Sequence, residues 1–299
     1  MKEYITKLKK ENNAIILAHY YVDKEVQDVA DYIGDSFYLA KVAKETDAKK
    51  IIFAGVEFMG ESAKILNPGK RVFMPDASAD CPMAHMVTEK EIKEKREQYD
   101  DLAVVCYINS TADIKTLSDV CVTSANAVKI VKNLPNKNIF FIPDQNLGDY
   151  VRRQVPEKNV MTNDGFCPRH HIMTKEDVLA AKDRHPGAKV AVHPECKQEV
   201  REEADYIGST SGIIKYVLDT DAEEFIIGTV DGVFPCIEEQ APNKKLFKVM
   251  EEQVCPNMKK VTLEKIVDVL ENETNEVFLD DEFIKKALSP LEKMLELAK

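Results

Sequence analysis

The chain has 299 residues, of which 44% are hydrophobic and 31% charged, a globular mixture able to bury a sizeable core. Length alone suggests about two domains, or three small ones. With 41 basic and 52 acidic residues the formal net charge is −11, which argues against nucleic acid or an anionic membrane as partner, since neither finds a basic stripe to dock on. Small anionic substrates stay open, because they need only a local positive pocket. The first twelve residues are charged and amphipathic, and no run of about 18 apolar residues occurs. The expectation is a cytoplasmic protein whose seven cysteines, odd in number, serve as apolar fillers or ligands rather than as a disulfide framework.

Along the chain the first apolar run, Ala14-Ile15-Ile16-Leu17-Ala18, ends in His19-Tyr20-Tyr21. It is too short for a helix and suits a buried strand. A polar amphipathic helix is predicted over 23–31, a very short strand at Tyr32-Ile33, and a second helix from near Ser36. A third strand at 51–54 and a third helix closing at Pro68 complete the unit.

The same order then returns twice. Leu102-Ala103-Val104-Val105-Cys106-Tyr107 and Ala188-Lys189-Val190-Ala191-Val192-His193 repeat the first run, so that His19, Tyr107 and His193 stand 88 and 86 residues apart. Asp31, Asp119 and Asp205 keep the register, as do Lys41, Lys129 and Lys215, and Pro68, Pro156 and Pro242. Thr88, Thr174 and Thr262 precede charged helical segments, the first two with an acidic residue three positions on, close to a capping box. A constant register over several landmarks implies triplication. Strands alternating with helices imply parallel pairing and right-handed crossovers. The predicted fold is therefore α/β: three homologous three-layer α/β/α sandwich domains with parallel sheets around a pseudo-threefold axis, over 1–85, 86–171 and 172–257, with a C-terminal helical segment at 258–299.

In such units ligands bind beyond the carboxyl ends of the strands. The chemistry-bearing residues there are His19 with Tyr21, Tyr107 with Asn109, and His193 with Glu195, together with Ser36, Ser124 and Thr210 at the second helix. Histidine and glutamate suit proton transfer near neutral pH, tyrosine hydroxyls can hydrogen-bond an oxyanion, and helix starts attract phosphate or carboxylate. A lone helix-start serine is usually only an N-cap, and a lone strand-end histidine is usually structural; the shared register is what raises both. Asp144, Gln145 and Asp231 are further candidates near the third-strand ends, and the three lysines read as solvated or packing residues. No dinucleotide or P-loop glycine pattern occurs.

Cys81, Cys167 and Cys255 are each followed by proline and close one repeat apiece, whereas Cys106, Cys121, Cys196 and Cys236 do not recur and read as buried apolar residues. Three thiolates on one axis call for a soft metal centre. A 4Fe–4S cubane with three protein ligands leaves one iron open as a Lewis acid for dehydration or condensation. A Cys3His zinc site using His170, from Cys167-Pro168-Arg169-His170, is the competing reading.

These residues make the chain resemble the quinolinate synthase (NadA) family over essentially its whole length. The most specific segments are Ala18-His19-Tyr20-Tyr21, Asp164-Gly165-Phe166-Cys167-Pro168, His193-Pro194-Glu195-Cys196, Gly208-Ser209-Thr210-Ser211-Gly212 and Cys255-Pro256-Asn257-Met258. The resemblance implies three α/β/α domains around a 4Fe–4S cluster held by Cys81, Cys167 and Cys255. It also implies condensation of iminoaspartate with dihydroxyacetone phosphate, releasing phosphate and water to give quinolinate for de novo NAD biosynthesis. His19, Ser36, Tyr107, Asn109, Ser124, His193, Glu195 and Thr210 match its substrate-binding positions and Tyr21 a catalytic tyrosine; Glu195, His19 or a tyrosine would move protons. Two departures stand out. The family's usual glutamate after Gly228-Thr229 is Val230 here, with Asp231 next, and no cysteine follows Cys255, so no C-terminal disulfide switch is expected. A non-catalytic metal or redox sensor and a zinc-dependent aldolase or hydratase are the alternative function classes.

Overall fold

A computed structural model describes residues 1–299. It contains three four-stranded, all-parallel sheets, each with helices on both faces. The first comprises β1 (Ala14–His19), β2 (Tyr32–Gly34), β3 (Lys50–Ala54) and β4 (Arg71–Phe73); the second β5 (Leu102–Tyr107), β6 (Val120–Val122), β7 (Asn138–Ile142) and β8 (Asn159–Thr162). The third comprises β9 (Lys189–Val192), β10 (Tyr206–Ile207), β11 (Glu224–Gly228) and β12 (Lys245–Lys248). Their orders are β2-β1-β3-β4, β6-β5-β7-β8 and β10-β9-β11-β12. The same topology three times bears out the predicted α/β fold.

Each sheet has a fourth strand that the sequence reading did not include. These edge strands are short and bounded by charged or polar residues, so neither length nor apolar alternation marks them. The helix predicted over 23–31 is also shorter, Lys24–Gln27. It stops there as Gln27 turns inward, its amide donating to the carbonyls of Tyr20, Val22 and Gly232.

The repeated residues do repeated work. Asp31, Asp119 and Asp205 each accept a hydrogen bond from a backbone N–H of the neighbouring central strand, that of Ile16, Val104 and Val190, at 2.7–2.8 Å. Each also donates its own N–H to the carbonyl of that same residue, which fixes the short strand's register. Thr88 and Thr174 form complete capping boxes with Glu91 and Asp177, and Thr262 caps through the N–H of Lys265. Lys215 pairs with Asp219 on the surface, and Lys129 donates to the carbonyl of Ala298.

One apolar core of 62 residues runs through the first two sandwiches and the C-terminal helices, while the third sheet carries its own clusters, one on each face. The helix Leu263–Asn272 packs on the N-terminal helix Lys2–Asn12 and on β3. A short antiparallel pairing of Glu276 with Phe73 follows along β4, and the final helix Asp281–Leu297 covers edge strand β6 and contacts the helix Glu57–Leu66. No helix is long and apolar enough to cross a membrane.

Candidate active site

In every sheet the chain leaves the first strand in one direction and reaches the third on the other side. The crevice at such a reversal, beyond the carboxyl ends, is where open α/β sheets bind ligands. His19 and Tyr107 are the last residues of β1 and β5, and His193 follows β9 directly. These residues border one cavity of about 140 Å³ together with Tyr21, Ser36, Asn109, Ser124, Glu195, Thr210 and all three Cys-Pro cysteines. The first-strand-end, second-helix and Cys-Pro residues of all three repeats thus line a single chamber.

The second-helix hydroxyls differ among the repeats. Ser36 and Thr210 are first residues of helices whose caps are Asp35 and Ser209. Capping is therefore done by the preceding residue, which leaves the Ser36 hydroxyl to the chamber and that of Thr210 to Tyr21, 2.9 Å away. Ser124 is not at a helix start: the corresponding helix begins at Ala127, and Ser124 sits in the turn before it.

Two histidines are locked alike. Nδ1 of His19 accepts from the N–H of Tyr21 at 3.2 Å, and Nδ1 of His193 accepts from the N–H of Glu195 at 3.3 Å. A neutral ring with an accepting Nδ1 carries its proton on Nε2, which in His193 faces Ser124 Oγ at 3.2 Å. Burial lowers the pKa of His19 to about 4, against the opposing pull of Asp35 and Glu195, and lowers that of His193 to about 3 against Glu195. Both are neutral hydrogen-bond donors at physiological pH.

Glu195, 3% exposed, lies at the centre of the charge distribution. Burial pushes its carboxyl up, but His193, His170 and the hydrogen bonds from His170 and Tyr107 outweigh this and hold it well below the ordinary carboxylate range. His170 Nδ1 is 2.6 Å from Glu195 Oε2 and 3.3 Å from Cys167 Sγ, while its Nε2 meets Thr229 Oγ1 at 2.9 Å. Thr229 Oγ1 in turn lies 2.7 Å from the Tyr21 hydroxyl, which is 2.9 Å from Thr210 Oγ1. With the His170 proton on the side of Glu195, Nε2 accepts, so Thr229 donates to it and accepts from Tyr21. Hydroxyl, imidazole and carboxylate are aligned as in an acid–base triad, with a tyrosine at its open end. Gln253 donates to the carbonyls of Ile227 and Thr229, fixing this strand end from two residues before Cys255.

The Cys-Pro pairs have a local cause. A residue before proline is kept out of the α region, and proline fits the first position of a helix. Cys81 and Cys167 accordingly cap the short helices Pro82–His85 and Pro168–His171 in extended conformation. Free N–H groups of the first turn reach both sulfurs, and backbone N–H groups of Asn257 and Met258 likewise reach Cys255. All three are half-buried free thiols. Burial and then the neighbouring Cys255 raise the Cys81 thiol to about 12; burial, Glu195 and Cys81 raise that of Cys167, and burial raises that of Cys255. A bound cation reverses that balance by stabilising thiolates. Cys167, His170 and Glu195 also present donor atoms within 4.8 Å of one another, so the chamber is compatible with a bound metal.

Comparison with known proteins decides the family. The sequence profile described as Quinolinate synthetase A protein matches residues 3–296. The chain belongs to the quinolinate synthetase A family. A curated quinolinate synthase of Fusobacterium nucleatum is 59% identical over 298 residues, covering 100% of this chain and 99% of that protein. Those of a Sulfurihydrogenibium species and of Caldicellulosiruptor saccharolyticus are 50% and 48% identical, covering 99% and 100% of this chain and 98% of each relative. The chain is thus an enzyme, a quinolinate synthase of NAD biosynthesis.

Within this member of the quinolinate synthetase A family, some sequence candidates fall away from the chamber. Asp144 is wholly buried and structural, capping its helix through the N–H of Leu147 and accepting from the N–H of Cys167 at 3.0 Å. Gln145 bonds the carbonyl of Asp164, and Asp231 pairs with Lys248 at 2.6 Å. It is Val230 that borders the cavity, so the Asp231 carboxylate does not compensate for Val230 there. Conversely, the repeats carry no signal for Thr229, and His170 reads from the sequence only as a zinc ligand. Their repeat equivalents are Gly55 and Pro143, and Ala84 and Met258: a search for shared chemistry passes over residues that occur once. The available signal was a hydroxyl at a strand end and a histidine one turn after a Cys-Pro.

Proposed function

We propose that this chamber condenses iminoaspartate with dihydroxyacetone phosphate to quinolinate, with release of phosphate and water, and that Cys81, Cys167 and Cys255 hold a 4Fe–4S cluster there. The observation carrying this reading is that one Cys-Pro thiol from each repeat borders the same cavity as the histidines, Glu195 and Tyr21. Three soft donors, each beside free helix-start N–H groups, fit the cluster. Bound by three thiolates, it supplies an open iron that polarises a substrate oxygen or carboxylate for loss of water. Each proposed unit, 1–85, 86–171 and 172–257, contributes one of these cysteines, with 258–299 as the C-terminal segment, and the reducing cytoplasm keeps the thiols unpaired.

The chain's own residues perform the rest. Ser36, Asn109, Ser124 and Thr210 seat the carboxylate and phosphate oxygens of the small anionic substrates, and the Nε2–H groups of His19 and His193 donate to substrate oxygens. Glu195, kept ionised, abstracts a proton, with Tyr107 donating to its carboxylate. Tyr21 turns its hydroxyl from Thr229 to deliver a proton to the departing oxygen, and the proton taken up by Glu195 returns to Tyr21 through His170 and Thr229, with Thr210 holding the tyrosine oxygen in position. The test is anaerobic purification followed by iron and sulfide analysis and a quinolinate assay. A brown protein with about four irons per chain that forms quinolinate is the expected result. A colourless protein with stoichiometric zinc overturns it in favour of a zinc hydratase, the reading to which Cys167, His170 and Glu195 lend themselves.

A further inference from the structure

Residues 35, 123 and 209 stand in the repeat register of 88 and 86. Two of the three do one job. Asp35 caps the helix Ser36–Glu45 through the N–H of Tyr38 at 3.0 Å, and Ser209 caps Thr210–Asp219 through the N–H of Gly212 at 3.1 Å. In the second repeat the helix starts later, at Ala127. The turn is closed instead by Asn126, whose Oδ1 accepts from the N–H of Thr123 at 2.7 Å. Thr123 is therefore released from capping, and its side chain has nothing to cap.

That side chain is 3% exposed, its Oγ1 has no hydrogen-bond partner, and the residue lines the chamber along with Asn109 and Ser124. Asn109 Oδ1 is likewise buried without a partner. A buried hydroxyl without a partner is rare and costly. We infer that Thr123 is a further substrate-binding residue of this enzyme, its hydroxyl donating to an anionic oxygen, carboxylate or phosphate, of the bound substrate. The inference rests on the substrates proposed above. It explains why the repeat symmetry breaks at the turn next to Ser124: the second unit gives up a helix cap and gains a ligand donor.

The experiment uses anaerobically prepared holoenzyme and the variants Thr123→Val, which keeps the shape without the hydroxyl, and Thr123→Ser, which restores it. Loss of a hydrogen bond to an anionic group raises the KM of one substrate about tenfold or more in Thr123→Val, and Thr123→Ser returns it to within about threefold of wild type. Inorganic phosphate and succinate, used as competitive inhibitors, identify the oxygen: weakened phosphate inhibition assigns it to phosphate, weakened succinate inhibition to carboxylate. The melting temperature supplies the readout that separates binding from structure. Removing an unpartnered hydroxyl leaves it unchanged or raises it, whereas removing a structural hydrogen bond lowers it. Unchanged KM values for both substrates in Thr123→Val, or a lowered melting temperature without a KM effect, overturn the inference. A wild-type enzyme that makes no quinolinate from the two proposed substrates overturns instead the reading on which it rests.

Discussion

Replacing His19 with asparagine tests whether the strand-end imidazoles work as neutral donors. His19 is 4% exposed, and burial lowers its pKa from 6.5 to about 4. The folded state thus resists a proton that the unfolded chain accepts. Stability is fully present above the unfolded pKa and is lost as pH falls from about 6.5 towards 4. At pH 5 the two values correspond to a loss of about 2 kcal/mol relative to pH 7.5. With an unfolding entropy of about 2.1 cal/mol/K per residue, for 299 residues that is a fall of roughly 3 °C in melting temperature. In His19→Asn the amide oxygen can accept from the N–H of Tyr21 as Nδ1 does at 3.2 Å, but nothing titrates. Melting curves of the metal-free proteins at pH 7.5 and 5 should therefore show the variant losing about 3 °C less than wild type. An identical fall in both would refute the assignment of a buried, neutral His19.

Cys81→Ser, Cys167→Ser and Cys255→Ser should each reduce anaerobically reconstituted iron from about four per chain to less than one; full retention in any of them removes that residue from the ligand set. Thr229→Val severs Tyr21 from His170 and should lower kcat about 10²-fold or more with KM within about threefold. An unchanged kcat would show that the chain of hydroxyls is not used. Asp149→Asn leaves the Arg201 guanidinium, 4% exposed and bonded to Asp149 at 2.6 Å, without its charged partner between the second and third sheets. The expected loss is about 3 kcal/mol, read by urea denaturation, and an unchanged midpoint would count against it. Gly232→Ala places a methyl group 2.3 Å from the carbonyl oxygen of Tyr20; impaired quinolinate formation with a lowered melting temperature is expected, and wild-type values in both assays would contradict this close approach.

The architecture was legible because triplication writes it three times: each central strand ends in a chemically capable residue, and the aspartates that pin the short strands hold a fixed offset. The edge strands, such as Arg71–Phe73, were not legible, since three residues of mixed polarity carry no period. The early end of the helix Lys24–Gln27 depends on Gln27 reaching the carbonyl of Gly232 in another repeat, a tertiary cause invisible locally. The same limit explains Ser124, whose turn is redrawn by Asn126. Residues that repeat are marked by their repetition; Thr229 and the proton-handling place of His170, each without a repeat equivalent, follow only from the fold, which sets them between Tyr21 and Glu195.

The distribution of the chamber over the whole chain sets an order of events during synthesis. Its walls come from residues as far apart as His19 and Met258, and the helix that wedges the first unit against the second ends at Leu297. A nascent chain emerging from the ribosome has no complete chamber wall before Met258 and no clasp between the first two units before the helix Asp281–Leu297 has emerged. A truncation before Cys255 therefore removes one of the three Cys-Pro thiols and the far wall of the chamber together.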